Sequence, residues 1–87
     1  MKIIKTKKIY ELLPLRFMVK EMYYKDLDEK LLKSGFRWGE HQCSEIPSNY
    51  IFLTTDKKII KTNSYEMFER FSFFKKIDID LILEMLD

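Results

Sequence analysis

The sequence has no alanine, and among its 87 residues it has one cysteine, one histidine, one tryptophan, two prolines and two glycines. Each scarcity removes something. A lone Cys43 rules out an internal disulfide and a cysteine-based zinc cluster, and a reducing compartment is its natural setting. Two glycines separated by Phe36, Arg37 and Trp38 cannot build a phosphate-cradling loop. No apolar run approaches the roughly 18 residues that span a bilayer. The start MKIIKTKK carries positive charge, yet Lys5, Lys7 and Lys8 interrupt the apolar stretch that a signal peptide needs. A cytoplasmic chain with no membrane partner is the expectation. The missing alanine, with heavy use of Lys, Ile, Phe and Tyr, points to an A/T-rich gene of a bacterium, plasmid or phage.

What is present is 46% hydrophobic, 15% aromatic and 34% charged, far from the composition of a disordered chain. One domain, residues 1–87, is all this length supports, and it buries about 60–70% of the surface its unfolded form exposes. The aromatic rings, each with a large buried area, offset that small size. Net charge is only +2, but it comes in blocks: +5 over residues 1–25, −3 over 26–56, +4 over 57–76 and −4 over 77–87. Such blocks read as solvated faces of alternating sign that pair with each other.

Residues 6–13 place Ile9, Leu12 and Leu13 at helical spacing between a capping Thr6 and Pro14, and Ile3 and Ile4 read as a short strand or an arm. LRFMVKEMY, residues 15–23, alternates as a strand, with Phe17, Val19 and Glu21 on one side and Met18, Lys20 and Met22 on the other. The two methionines are apolar on the side that should be wet. DLDEKLLKSG, residues 26–35, carries the strongest helix signals. Asp26 and Glu29 fit a cap, and Asp28 and Glu29 suit the positive end of the dipole as Lys30 and Lys33 suit the negative end. Gly35 is placed to end the helix in the left-handed conformation. Phe36 and Trp38 then alternate with Arg37 in a strand packed on that helix.

After a polar loop, residues 40–49, YIFLTT (50–55) and IIKTN (59–63) read as a hairpin across DKK. Ile51 and Leu53 face one way in it, Tyr50 and Phe52 the other. SYEMFERFSFFKK (64–76) suits a helix opened by Asn63 or Ser64, with Met67, Phe68, Phe71 and Phe74 at helical spacing. Residues 77–87 read either as a strand through Ile77, Ile79, Leu81 and Leu83 or as a helix through Ile79, Ile82, Leu83 and Leu86. Their Leu, Met and Glu content favours the helix. The predicted fold is α+β: a small, mostly antiparallel sheet of three to four strands, with a helix after the first strand and one or two C-terminal helices covering one face.

Catalysis needs convergent groups, and few are on offer. His41 and Cys43 at i, i+2 would share a face of a strand, as a cysteine nucleophile and its base must. Both fall in one polar loop, whereas nucleophile and base usually come from separate parts of a fold. They read as loop residues, and the chain as a non-enzyme without a cofactor. Glu40, His41, Cys43 and Glu45 match no zinc spacing, and Asp78, Asp80, Glu84 and Asp87 read as a solvated helix face, so no metal is expected.

Two lysine-rich sets raise nucleic acid as a partner: Lys2, Lys5, Lys7, Lys8, Arg16 and Lys20, then Lys57, Lys58, Lys61, Arg70, Lys75 and Lys76. Tyr10, Tyr50, Phe52 and Tyr65 are interleaved as rings that could stack on bases. A net charge of +2 nevertheless falls short of a strongly basic domain, and lysines give point charges rather than bidentate base readers. Large apolar residues exceed what one small sheet and three helices need. Tyr23, Tyr24, Tyr50, Tyr65, Phe73 and the Met18/Met22 side are the surplus, and about half of them close the core in so short a domain. The remainder is the material of interface hot spots.

RFMVKEMYYKDLDEKLLKSGFRWGE through IPSNYIFLTTDKKIIKTNSY resembles a loose class of small phage and prophage accessory proteins. There a strand and short helix lead into a Gly-aromatic-x-Trp strand and a hairpin. The matching residues here are Gly35, Phe36, Arg37, Trp38 and Gly39, with YIFLTT and IIKTN as the hairpin. The resemblance covers half to two-thirds of the chain and brings no catalytic residues. It implies a protein that binds and inhibits a host protein, a bacterial defence effector such as a CRISPR nuclease being the sharpest form. A DNA-mimic mode would need a strong negative excess. Contact is expected at the sheet edge, the loop after Trp38 and the aromatics of residues 65–74, through Arg37, Glu40, His41, Tyr50, Lys57, Lys58, Tyr65 and Phe73. The alternative is a nucleic-acid-binding accessory module. Monomer and homodimer both fit, since marginal size and leftover rings favour self-association.

Overall fold

The computed structural model describes residues 8–20, 24–40, 42 and 48–86, and in it five strands form one mixed sheet. A helical turn α1 (residues 8–11) precedes β1 (Leu15–Met18), α2 (Tyr24–Lys33) and β2 (Arg37–Trp38). β3 (Tyr50–Leu53), β4 (Lys58–Thr62), α3 (Tyr65–Arg70), β5 (Lys75–Lys76) and α4 (Ile79–Leu86) follow. The strand order is β2-β4-β3-β1-β5. The central β1, β3 and β4 pair antiparallel, while β2 and β5 add in parallel at the two edges.

The sheet is thus mixed and has one strand more than expected. The unexpected strand is β5, which falls in the segment read as a continuous helix over 64–76. Ser64 does open that helix, its Oγ accepting the Met67 N–H at 3.1 Å. It ends at Arg70 because the run Phe71, Ser72, Phe73, Phe74 has weak helix propensity, while β1 has an edge to pair. The N–H groups of Lys75 and Ile77 donate to the carbonyls of Pro14 and Arg16, each at 3.0 Å.

Period-two alternation divides the sheet into two faces. The inner face carries Leu15, Phe17, Ile51, Leu53 and Ile59, which form the core with Ile9 of α1, Leu27 and Leu31 of α2, and Ile79, Ile82, Met85 and Leu86 of α4. The outer face carries Arg16, Met18, Tyr50, Phe52 and Ile60, with α3 lying on it. Helices therefore cover both faces, not one. The last segment, read either as strand or as helix, forms a helix over Ile79–Leu86: Asp78 Oδ1 accepts the Asp80 N–H at 3.1 Å, and Ile79 and Ile82 turn inward.

α2 ends as its sequence dictates. Gly35 takes φ = 99°, its N–H reaches Leu32 O at 3.2 Å, and the Phe36 N–H reaches Leu31 O at 3.1 Å, a Schellman motif. The helix begins earlier than expected, at Tyr24, so Asp26 lies in its first turn instead of capping it. Asp28, read as suiting the positive end of the dipole, is buried. The expected cap at Thr6, the arm at Ile3 and Ile4, and the strand residues 21–23 lie outside the described residues.

Candidate partner-binding face

Phe52 is the hub of the outer face. Directly opposite Arg16 on β1 and Ile60 on β4, its ring lies 6.1 Å from Phe68, 5.8 Å from Phe71 and 5.0 Å from Phe74. Those three residues belong to the stripe that the sequence marked as helical. The stripe converges on one face, with Phe68 buried and Met67, Phe71 and Phe74 half-buried, but only Met67 and Phe68 reach it from a helix. Phe71 and Phe74 reach it from a turn, held by Ser72 N–H to Arg70 O at 2.9 Å and Phe74 N–H to Phe71 O at 3.1 Å. That turn leaves Phe73 at its tip, 70% exposed and 4.6 Å from the Phe74 ring. A hollow of about 270 Å³ opens between the turn and the sheet, lined by Phe52, Ile60, Met67, Phe71, Phe73 and Phe74.

Further along α3, Tyr50 stacks on buried Phe68 with centroids 4.8 Å apart, and Tyr65 lies 6.0 Å from Tyr50. Tyr65 is 58% exposed and its hydroxyl donates to Glu69 Oε1 at 3.1 Å. That bond raises the Tyr65 pKa. Glu69 is held below the usual carboxylate range, first by its bond from Lys76 and then by that from Tyr65. A second, larger hollow of about 460 Å³ forms where β1 and the residues after β5 diverge. Exposed Met18 lines it with Phe68, Ile77 and Ile79, which gives Met18 on the supposedly wet side a place.

Of the sequence-nominated contact residues, five lie on the outer side of the sheet. Arg37 and Lys58 sit opposite one another on β2 and β4, each alternating with an inner residue, Trp38 and Ile59. Tyr50, Tyr65 and Phe73 complete the group. Lys57 lies elsewhere: at φ = 64° in the β3–β4 turn, it holds its ammonium 4.2 Å over the Tyr10 ring. Glu40 is exposed just after β2, and His41, with Cys43 and Glu45, lies outside the described residues. Phe71 and Phe74 of the hollow fall among the expected aromatics of residues 65–74, whereas Phe52, Ile60 and Met67 were not nominated for protein contact. Their signal was the outward alternation of Phe52 in the hairpin.

Trp38 packs against the core, and neither hollow includes it. Among the described residues no group of three or more His, Cys, Asp or Glu could hold a metal ion. The lysine-rich sets are also reshaped. Arg16 is buried, its guanidinium 5.1 Å over the Phe68 ring with Nη1 donating to Phe68 O. Lys61 is buried as well, while Arg70 and Lys76 pair with Glu66 and Glu69 at 2.8 and 3.2 Å.

No helix among the described residues is long and apolar enough to cross a membrane. No family model matches this chain, and neither a curated protein nor a solved structure does.

Proposed function

We propose that this chain is a non-enzymatic module that binds and blocks another protein, with the outer face around α3 as its contact surface. The observation that carries the reading is Phe73, a large ring held out in solvent at the tip of a bonded turn, beside an apolar hollow. Exposed rings next to a concave apolar surface are what protein interfaces use as anchors. The target class, a host or bacterial defence protein such as a CRISPR nuclease, comes from the resemblance of Gly35–Gly39 and the hairpin to phage accessory proteins. Nucleic acid is the second reading: burial of Arg16 and Lys61 takes two of the nominated cations off the surface.

Retention of host proteins on the immobilised chain, with and without nuclease treatment of the lysate, tests this. The reading expects a discrete protein that survives nuclease and is lost with Phe73→Asp. Retained material that disappears with nuclease favours nucleic acid instead. The double variant His41→Ala with Cys43→Ser is expected to block its target unchanged; loss of blocking by a folded double variant would point to an enzyme.

A further inference from the structure

We infer that the hollow of Phe52, Ile60, Met67, Phe71, Phe73 and Phe74 takes one large apolar side chain of an extended partner segment, and that Arg37 binds a carboxylate two residues away in that segment. The inference rests on the protein-binding reading above and adds the chemistry of the partner.

The lining of the hollow decides between an amino-acid side chain and a nucleobase. All six lining residues are apolar. A base inserted there would leave its buried edge donors and acceptors without partners, an unfavourable desolvation. A Leu, Met, Phe or Trp side chain leaves nothing unpaired. The volume of about 270 Å³ also suits a single anchor, since sites for drug-sized ligands run from roughly 300 to 1,000 Å³.

The charge beside the hollow defines the flanking residue. Ile60, one wall, shares the outer face of β4 with Lys58, two residues back, and Lys58 sits directly opposite Arg37. Arg37 is exposed on the edge strand and has no acidic partner among the described residues. Its planar fork is the side chain best matched to a carboxylate. Lys58 reaches Asp56 at 3.6 Å, but both side chains are well exposed and such a pair yields readily to a competing acid. Two residues along a strand span about 7 Å. An extended partner therefore places its acid over Arg37 and Lys58 when its apolar side chain, two positions away on the same face, enters the hollow.

Selection of a displayed random peptide library on the immobilised chain tests this, followed by fluorescence anisotropy of the selected peptides. The enriched peptides are expected to carry a large apolar residue with Asp or Glu two positions away. Phe73→Asp and Arg37→Glu, both at exposed positions and checked for fold by circular dichroism, should each weaken binding by about tenfold or more, as a hot-spot residue does. Replacing the peptide's acid by Lys should restore binding to Arg37→Glu, a gain that misfolding cannot produce. Enriched peptides without acids, indifference to both variants, or an oligo-dT probe that competes for the hollow would each overturn the inference. If acidic-apolar peptides bind but no host protein is retained, the blocking reading fails and this one stands. If a host protein is blocked regardless of Arg37, the reverse holds.

Discussion

Lys61 Nζ lies 2.9 Å from Asp28 Oδ2, with both side chains buried between β4 and α2. Lys61, two residues after Ile59, shares its face of β4 and so points to the core side, where its ammonium also sits 5.0 Å from the Trp38 ring. Its backbone N–H donates to Gln42 Oε1 at 2.8 Å, tying the chain after β2 to the same strand. Asp28 Oδ1 has no partner among the described residues. A charge pair of this kind is held by mutual attraction and is sensitive to loss of either member.

Lys61→Met leaves a buried carboxylate alone and is expected to cost about 3–5 kcal/mol. The double variant Asp28→Leu with Lys61→Met removes both charges and should recover most of that loss, or exceed wild-type stability by about 1–4 kcal/mol. Urea denaturation midpoints of the single and double variants measure it. A double variant no better than the single would show that the pair is not the source of the effect.

Gly35 is required twice over. Its φ of 99° disfavours any side chain, and a Cβ there would run into the Tyr10 hydroxyl, which is bonded to Ser34 O. Gly35→Ala should lose about 1–2 kcal/mol from backbone conformation alone, and more from the overlap. Tyr10→Phe costs about 1 kcal/mol in the wild-type chain for its lost hydrogen bond, but should cost less, or help, beside Gly35→Ala. A double-mutant cycle by denaturant unfolding reads this coupling, and strict additivity would contradict it.

Ser64→Ala removes the cap of α3 and is expected to cost about 0.5–2 kcal/mol. Because α3 positions Met67 and the turn to Phe73, peptide or target binding at the outer face should weaken with it, while Asp80→Ala on the opposite helix should leave binding unchanged. Calorimetric titration of the two variants checks the contrast.

The Tyr65–Glu69 bond gives a pH signature. With its pKa raised above 10.0 by the bond to Glu69, Tyr65 contributes stabilisation that is complete below that ordinary value and lost as pH rises through the higher folded value. Glu69, lowered from 4.5, contributes stabilisation that is present above that value and lost as pH falls through the lower folded value. NMR titration of the Tyr65 ring should show its transition moving down towards the ordinary value in Glu69→Gln. An unmoved transition would contradict the bond.

Local signals made much of this fold legible. Gly35 announced the end of α2, Ser64 the start of α3, and the alternation of Tyr50, Ile51, Phe52 and Leu53 gave the two faces of the hairpin. What escaped depended on partners far away in sequence. Lys61 belongs inside only because Asp28, 33 residues earlier, meets it there. Lys75 and Lys76 form a strand only because β1 presents an edge to them. Arg16 counted as a surface cation until Phe68 supplied a carbonyl and a ring. The hollow beside Phe73 was half visible: its rings were noted, but as one helical stripe, with the helix drawn straight through the turn that exposes Phe73.

The most direct measurement is an isotope-edited NMR map of the chain titrated with its purified target protein. Protein binding at the outer face predicts shifted or broadened signals at Arg37, Ile60, Tyr65 and Phe73, with those of Leu27, Leu31 and Ile82 unmoved. Perturbations confined to α2 and α4, with Phe73 unaffected, would contradict it.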